Sequence, residues 1–285
     1  FTSAWLSAPL IEKAGSEHQK TELLSAIADG NLLVTVAIDE GKHHRPLQTA
    51  MTAKKDGEKY YLNCNKAFEL DGNVADKIVV VARTNGQKGE AKGISLFLVN
   101  ADATGLTIEK KTMMDSRNAA KMQFEYVAAE LIKEDAYTEL VEALDIARIG
   151  LAAEMLGSMQ EAFERTIAYL KERKQFGVPI GVFQGLQHRA AWMFCEIEQC
   201  KSLVIKSLQA IDKGSKRLPA MASMTKAKVG ETLKNVSNEA VQMYGGIGVT
   251  DDEEIGFFMK RARVAQRTLG DANYHLDRFA SLNGF

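Results

Sequence analysis

Hydrophobic and polar positions follow three different periods along the chain. Up to about Gly30, the apolar residues are spaced as in an amphipathic helix, with Leu23 and Ile27 on one face. Ser16 followed by Gln19 predicts a capping box, in which each side chain satisfies a backbone N–H of the other residue. Gly30 then predicts the end of the helix, because glycine adopts the left-handed conformation of a C′ residue at little cost.

From residue 32 to about residue 127, the period falls to two, which is typical of β-strands. Apolar side chains alternate on both sides of the segment 55–58, and its Asp56-Gly57 pair predicts a tight hairpin turn. Further strands are predicted at 77–83, 94–100, 106–110 and 122–127. The runs 78–82 and 94–99 are apolar at nearly every position, so we expect them at the centre of the fold. Six or seven short strands with polar turns predict a small antiparallel sandwich or barrel.

Beyond residue 134, apolar residues recur at steps of three and four to the end of the chain. Four helical regions follow, at about 144–170, 183–211, 219–244 and 253–282, and short breaks separate them. Long helices joined by short connections predict an up-and-down four-helix bundle. The predicted fold class is therefore α+β, with domains at 1–30, 31–133 and 134–285.

Composition excludes several classes of protein. The formal net charge of the 285-residue chain is −1, so no basic excess favours nucleic acid or an anionic membrane. No apolar run is long enough to span a bilayer. Its three cysteines show no CxxC spacing, which argues against a disulfide scaffold or a zinc site and favours a reducing cytoplasm. The chain opens on Phe1 within an apolar stretch, and we expect a preceding region that is absent from it.

Two segments in the helical part carry a family resemblance. Residues 172–180 read ERKQFGVPI and are followed by Phe183-Gln184, and residues 242–248 read QMYGGIG. Together with LDIAR at 144–148, they resemble the signatures of the acyl-CoA dehydrogenase family, which desaturates acyl-CoA thioesters with FAD. The resemblance spans essentially the whole chain and implies that residues 1–30 are the remnant of an N-terminal helical domain.

The resemblance implies a set of FAD contacts. Arg173 matches an arginine that reaches the FAD pyrophosphate of a neighbouring subunit, and a guanidinium can bind a diphosphate through two parallel hydrogen bonds. Glycine at a matching position allows backbone to approach the ADP closely. The implied cofactor-binding residues are Arg173, Gln175, Phe176, Phe183, Gln184, Gln242, Gly245 and Gly246. Asp145 and Arg148 match positions that help to hold the acyl-CoA, or else form an ordinary pair on one helix face.

The catalytic base of the family is missing at both of its known positions. The usual glutamate precedes a glycine near the start of the last helix, where this chain has Leu269-Gly270. A minority of the family places the base on the first helix of the bundle, where this chain has Ala147. Asp271 is the candidate substitute, although an aspartate before a helical segment favours an N-cap. A base must lie within hydrogen-bond reach of its proton, and Asp271 is two residues away from the expected position.

The sheet departs from the family as well. A Thr-Glu-Pro segment is replaced by Asp39-Glu40-Gly41, and the segment that walls the isoalloxazine ring becomes Phe68-Glu69-Leu70. Both changes remove hydroxyl donors aimed at the flavin ring. For the adjacent pair His43-His44, neighbouring side chains of an extended chain point apart, and we interpret the pair as part of a solvated loop.

These losses indicate a division of labour between subunits. The chain resembles the small subunits of hetero-oligomeric acyl-CoA dehydrogenases such as pimeloyl-CoA dehydrogenase, and the hypothesis is an FAD site shared with a base-bearing paralogue in a dimer of dimers. The alternatives are a self-sufficient homotetramer that uses Asp271, or a non-enzymatic acyl-CoA-binding or scaffold protein. By family analogy, an electron-transfer flavoprotein accepts the electrons.

Overall fold

The computed structural model describes residues 1–285 and shows two compact units, Phe1–Ala147 and Arg148–Phe285. The first unit opens with a π-helical turn, Ser3–Ser7, and the helices α1 (Ala8–Ala14) and α2 (Glu17–Ala28). The predicted capping box is confirmed, since Ser16 Oγ accepts from Gln19 N and Gln19 Oε1 accepts from Ser16 N. Gly30 follows α2 at φ +74°, as a C′ glycine does.

A seven-stranded sheet fills the rest of the first unit. Its strands are β1 (Val34–Ala37), β2 (Thr52–Asp56), β3 (Lys59–Leu70), β4 (Lys77–Arg83), β5 (Ile94–Asn100), β6 (Leu106–Thr112) and β7 (Asn118–Lys133). Strands β4, β2, β3, β7 and β5 pair in that order and β5 pairs again with β4, which closes them into a small barrel. The predicted Asp56-Gly57 hairpin is confirmed between β2 and β3.

Strand β4 departs from the predicted antiparallel arrangement. It pairs in parallel with β1 along the whole of β1, and in parallel with β2 at one residue pair. Parallel neighbours need a long connection, and here the β2–β3 hairpin supplies it. Alternation along a single strand does not reveal this, because the same pattern suits either direction of pairing.

The sheet buries the two apolar runs as expected. Residues 78–82 of β4 and 94–97 of β5 are fully buried, with no exposed surface. Of these residues, Ile78, Val80, Ala82 and Phe97 form one core with residues of β2, β3 and β7. Burying a leucine- or valine-sized side chain contributes roughly 1.5–3 kcal/mol, so these two strands anchor the unit.

Helices make up most of the remaining chain. They are α3 (Tyr137–Glu172), α4 (Gln184–Asp212), α5 (Leu218–Tyr244), α6 (Ile255–Arg267) and α7 (Ala272–Leu282), and a two-stranded ribbon, β8 (Lys174–Gln175) and β9 (Val178–Pro179), joins α3 to α4. Within the second unit, α5 packs against α4, α6 and α7. The fourth predicted region is two helices, because residues 268–271 break it. None of these helices combines the length and the apolarity needed to cross a membrane.

Candidate functional site

The connection between α3 and α4 presents the first motif to solvent. Arg173 follows α3 directly, its N–H donates to Tyr169 O at 2.8 Å, and its own carbonyl accepts from Ile180 N at 2.8 Å. Between these bonds the ribbon turns at Phe176 and Gly177, both with positive φ (+54° and +84°). The turn therefore holds the motif in an exposed hairpin with a fixed backbone.

Two aromatic side chains of the α3–α4 connection, one in the hairpin and one just before α4, are exposed to solvent. Phe176 is 90% exposed and Phe183 is 38% exposed, and their rings meet edge to face with centroids 6.0 Å apart. Arg173, Gln175 and Gln184 are exposed beside them. Isolated exposed apolar residues need no explanation, but an exposed aromatic pair beside a guanidinium is suited to a flat, anionic ligand.

The second motif begins where α5 ends, and the same tyrosine supports both motifs. Tyr169 stacks on Tyr244 with ring centroids 4.1 Å apart, and its hydroxyl donates to Tyr244 O at 3.2 Å. Gly245 follows at φ +67°, and a Cβ on Gly245 or on Gly246 would meet no atom within 4 Å. Gln242 is exposed next to this open backbone. Because Tyr169 is bonded to Arg173 as well, the two motifs lie at the same end of the helical unit.

The turn between α6 and α7 holds the position at which the sequence lacks a base. Leu269 has φ +58° and Gly270 has φ +104°. The Leu269 carbonyl accepts from Arg148 Nε at 3.2 Å and from His275 Nε2 at 3.0 Å, which fixes the proton of His275 on Nε2. Leucine in a left-handed conformation costs about 1 kcal/mol, and these donors stabilise the turn against that cost.

Lys226 of α5 completes the support of the turn. Its Nζ donates to Gln266 O and to Gly270 O, both at 3.0 Å, and the side chain is fully buried. Burial and the nearby positive charge of Arg148 together lower the pKa of Lys226 to about 7. Lys226 was not among the residues predicted for the site, although a lysine on the apolar face of a predicted helix is a signal of a buried charge.

Asp271 is placed as a helix cap. Its Oδ1 accepts from Tyr274 N at 2.9 Å, at the N-terminus of α7. The carboxylate thereby accepts a hydrogen bond from one of the first-turn N–H groups, which have no partner within the helix. The geometry favours the cap over a displaced base.

Arg148 and Asp145 are both 1% exposed. Besides Leu269 O, the guanidinium of Arg148 contacts Tyr274, donating to its hydroxyl at 3.3 Å and lying 5.6 Å from its ring centroid. These contacts make Arg148 a support of the α6–α7 turn. A role for Arg148 and Asp145 in holding acyl-CoA stays a prediction.

A buried cluster of charged groups joins the end of β1 to β3. Lys66 Nζ, fully buried, donates to Ile38 O at 2.9 Å and lies 3.2 Å from Glu40 Oε1. Glu69 Oε1 accepts from Asp39 N at 3.2 Å. Burial, together with the negative charge of Asp39, raises the pKa of Glu69 to about 8, so Glu69 keeps its proton at neutral pH.

The expectation of a solvated His43-His44 loop is wrong for His44. Its side chain is 6% exposed and its Nδ1 lies 2.8 Å from Asp39 Oδ2, whereas His43 is exposed as expected. The loop turns at this point, so the two imidazoles have different surroundings. Burial alone would raise the pKa of Asp39, but His44 and the N–H of Arg45 hold it below its usual value.

The two halves of the predicted FAD site differ in how well they suit the cofactor. The exposed guanidinium, aromatic pair and open glycine backbone of the helical unit fit a diphosphate and an adenosine. Asp39 does not fit the acceptor-rich edge of a flavin ring, because both its carboxylate oxygens accept hydrogen bonds already. No group of three or more His, Cys, Asp or Glu side chains is placed to hold a metal ion.

Comparison with known proteins places this architecture in a family. The model of the acyl-CoA dehydrogenase middle domain matches residues 38–127, and that of the acyl-CoA dehydrogenase C-terminal domain matches residues 137–281. Cyclohex-1-ene-1-carbonyl-CoA dehydrogenase of Syntrophus aciditrophicus is 33% identical over 88% of this chain, and the match covers 63% of that relative.

Solved structures agree with the family models. Butyryl-CoA dehydrogenase from Megasphaera elsdenii superposes with a TM-score of 0.93 at 28% identity, over 99% of this chain and 76% of that chain. The Tcur3481-Tcur3483 steroid ACAD G363A variant superposes with a TM-score of 0.87 at 31% identity, over 98% of this chain and 75% of that chain. The chain belongs to the acyl-CoA dehydrogenase family.

Proposed function

We propose that this chain is a subunit of an FAD-dependent acyl-CoA dehydrogenase and that it completes an FAD site shared with a base-bearing paralogue. The observation that carries the proposal is the contrast between the Arg173 hairpin and the α6–α7 turn of this chain. The exposed Arg173 hairpin is intact, while the α6–α7 turn holds Leu269 where the family has its base. A leucine side chain cannot accept the proton that leaves the α-carbon of the thioester.

The residues around the α6–α7 turn also support a catalytic base that is supplied by another subunit. Asp271 is committed to capping α7, and Ala147 on α3 offers no carboxylate either. General-base catalysis requires a group within hydrogen-bond reach of the proton. This chain brings no such group to the turn, so the base comes from another subunit.

FAD, when bound, supplies the acceptor for the hydride that leaves the β-carbon. The residues of this chain would bind and orient its ADP part: Arg173 the diphosphate, Phe176 and Phe183 the flat adenosine, and the backbone at Gly245-Gly246 a close approach. Arginine binds diphosphate in a way that lysine cannot reproduce, because its planar fork donates two parallel hydrogen bonds.

The relatives support a flavoprotein with an acyl-CoA substrate and a protein electron acceptor. A glutaryl-CoA dehydrogenase from Mycobacterium smegmatis, 25% identical, is known in complex with FADH2. A further structural relative, 30% identical, comes from work on the electron transferring flavoprotein of Acidaminococcus fermentans. The steroid ACAD carries the names of two components, as expected for a hetero-oligomer. We infer an electron-transfer flavoprotein as acceptor and the cytoplasm as the compartment.

Flavin content and turnover test the proposal. The chain purified alone should carry little FAD and should not bleach added FAD when butyryl-CoA is supplied. Co-expression with a paralogue that has the Glu-Gly pair should give a yellow complex, and Arg173→Gln in this chain should remove FAD from that complex. Arg217→Gln, at an exposed position before α5, is the matched control. A fully yellow, active homo-oligomer would contradict the shared site.

A further inference from the structure

A depression lies on the first unit, which contains neither motif. Its volume is about 1010 Å³, and the β2–β3 hairpin, β5 and β7 line it. Leu98 and Leu131 form an apolar part of its lining, and three tyrosines form an aromatic part. Pockets of this size that combine apolar walls with a few polar groups are typical of small-molecule sites.

The aromatic wall is a stacked pair. Tyr61 of β3 and Tyr126 of β7 lie nearly parallel, with ring centroids 4.1 Å apart and an angle of 11° between the rings. Tyr61 alternates with the buried residues Tyr60 and Leu62, so it faces outward from the barrel core. Tyr126 is 54% exposed, and its hydroxyl donates to Asp56 Oδ2 at 3.0 Å.

The position of Tyr126 depends on a strained backbone. The β3–β7 register shifts between Leu62 and Cys64, so that two residues of β7 face Asn63. At this bulge Tyr126 has φ +53°, and its N–H donates to Asn63 Oδ1 at 2.7 Å. Glycine takes this conformation without strain, whereas tyrosine pays about 1 kcal/mol or more. Bulges re-aim side chains, and this one directs an aromatic ring into the depression.

Lysines add positive charge to the lining. Lys55, Lys59 and Lys77 reach it from the hairpin and from β4. Of its carboxylates, Glu130 accepts from Gln19 and Glu134 accepts from the hydroxyl of Tyr60, while Glu58 lies in the exposed hairpin turn. Lys55 Nζ also lies 5.6 Å from the Tyr60 ring centroid. Lys55 and Lys59 thus bring two ammonium groups to the hairpin side of the depression, which the tyrosine pair also lines.

We propose that this depression binds a nucleotide-type ligand, with a planar base stacked on Tyr126 and a phosphate held by Lys55 and Lys59. Base–aromatic stacking tolerates any base because each has a π-face, and a lysine binds phosphate as a point charge. The strain at Tyr126 is explained by this use, since a glycine at the bulge would give the same sheet without the ring. The site shares no residue with the Arg173 hairpin, and the proposal does not depend on the proposed shared FAD site.

Calorimetric titration with ADP tests the site. All measurements use the full chain with Arg173→Gln, which removes the arginine proposed to bind FAD diphosphate. The parent should bind ADP saturably at about millimolar concentration or below. Tyr126→Gly should weaken binding at least tenfold while its melting temperature does not fall, because glycine suits the bulge. Tyr126→Phe keeps the ring and should bind within about threefold of the parent.

A second variant separates the charge from the ring. Lys55→Gln with Lys59→Gln should weaken ADP at least tenfold and leave adenosine unchanged, and it changes no buried group. The proposal is overturned if the Arg173→Gln chain shows no saturable ADP binding. It is also overturned if Tyr126→Gly and the double lysine variant both bind ADP as the parent does.

Discussion

Glu69→Gln is expected to change how the stability of the protein depends on pH. Glu69 is fully buried beside Asp39, and its pKa in the folded protein is raised to about 8. In the unfolded chain a glutamate has its ordinary pKa of about 4.3. Between these values the folded state holds one more proton than the unfolded state, so the free energy of unfolding falls as pH rises.

The magnitude follows from the linkage relation. One extra proton in the folded state gives a slope of about −1.4 kcal/mol per pH unit. From pH 5 to pH 8 the wild-type protein should therefore lose on the order of 4 kcal/mol from this residue. Glutamine is nearly isosteric and neutral at every pH, so the variant lacks this slope while its Oε1 can still accept from Asp39 N.

Urea denaturation at pH 5, 6, 7 and 8 measures the effect. The difference in unfolding free energy, wild type minus Glu69→Gln, should fall steadily across the series. Glu12→Gln, at an exposed position of α1, is the matched control and should show a flat difference. A flat difference for Glu69→Gln would refute the reasoning, because Glu69 would then be ionised in the fold throughout.

Three further predictions concern the helical unit. Asp271→Ala should cost about 1 kcal/mol of unfolding free energy while Asp271→Asn keeps most of it, since asparagine also caps; equal losses in thermal melts would contradict the cap. Gly270→Ala should cost at least 3 kcal/mol, because the new Cβ would overlap the ring of Tyr274 and Gly270 has φ +104°. Gly246→Ala, with no atom within 4 Å and no positive φ, should change the free energy of unfolding by less than about 0.5 kcal/mol, and similar urea midpoints for the two variants would count against this. Between pH about 7 and 10.5, Lys226 holds fewer protons in the folded state than in the unfolded state. The free energy of unfolding of the wild type should therefore rise with pH in this range relative to that of Lys226→Met. Parallel pH curves for the two proteins would contradict the lowered pKa of Lys226.

The sequence predicted most of the fold because local signals agreed with tertiary packing. The Ser16 capping box, the Asp56-Gly57 hairpin and the buried runs of β4 and β5 all follow from short-range chemistry. The parallel pairing of β1 with β4 escaped prediction, because it joins strands far apart in sequence. The break at Leu269 was visible only as a predicted cap at Asp271.

Residues of the candidate site could be predicted where they belong to a sequence motif. Buried charged residues that support the site could not. Arg173 and Gly245 stood out in their motifs, and the structure presents both to solvent. The burial of Lys226, Lys66 and Glu69 was not predicted, because charged residues are rarely buried. Their partners are backbone carbonyls and distant side chains, which composition and periodicity do not reveal.

The flavin spectrum of the chain purified alone is the most direct test of the shared FAD site. We predict far less than one FAD per chain by absorbance near 450 nm after FAD is added and the excess removed, and no bleaching with butyryl-CoA. Stoichiometric FAD that bleaches on addition of butyryl-CoA would show that the chain binds the flavin and removes the α-proton without a partner, and would contradict the account.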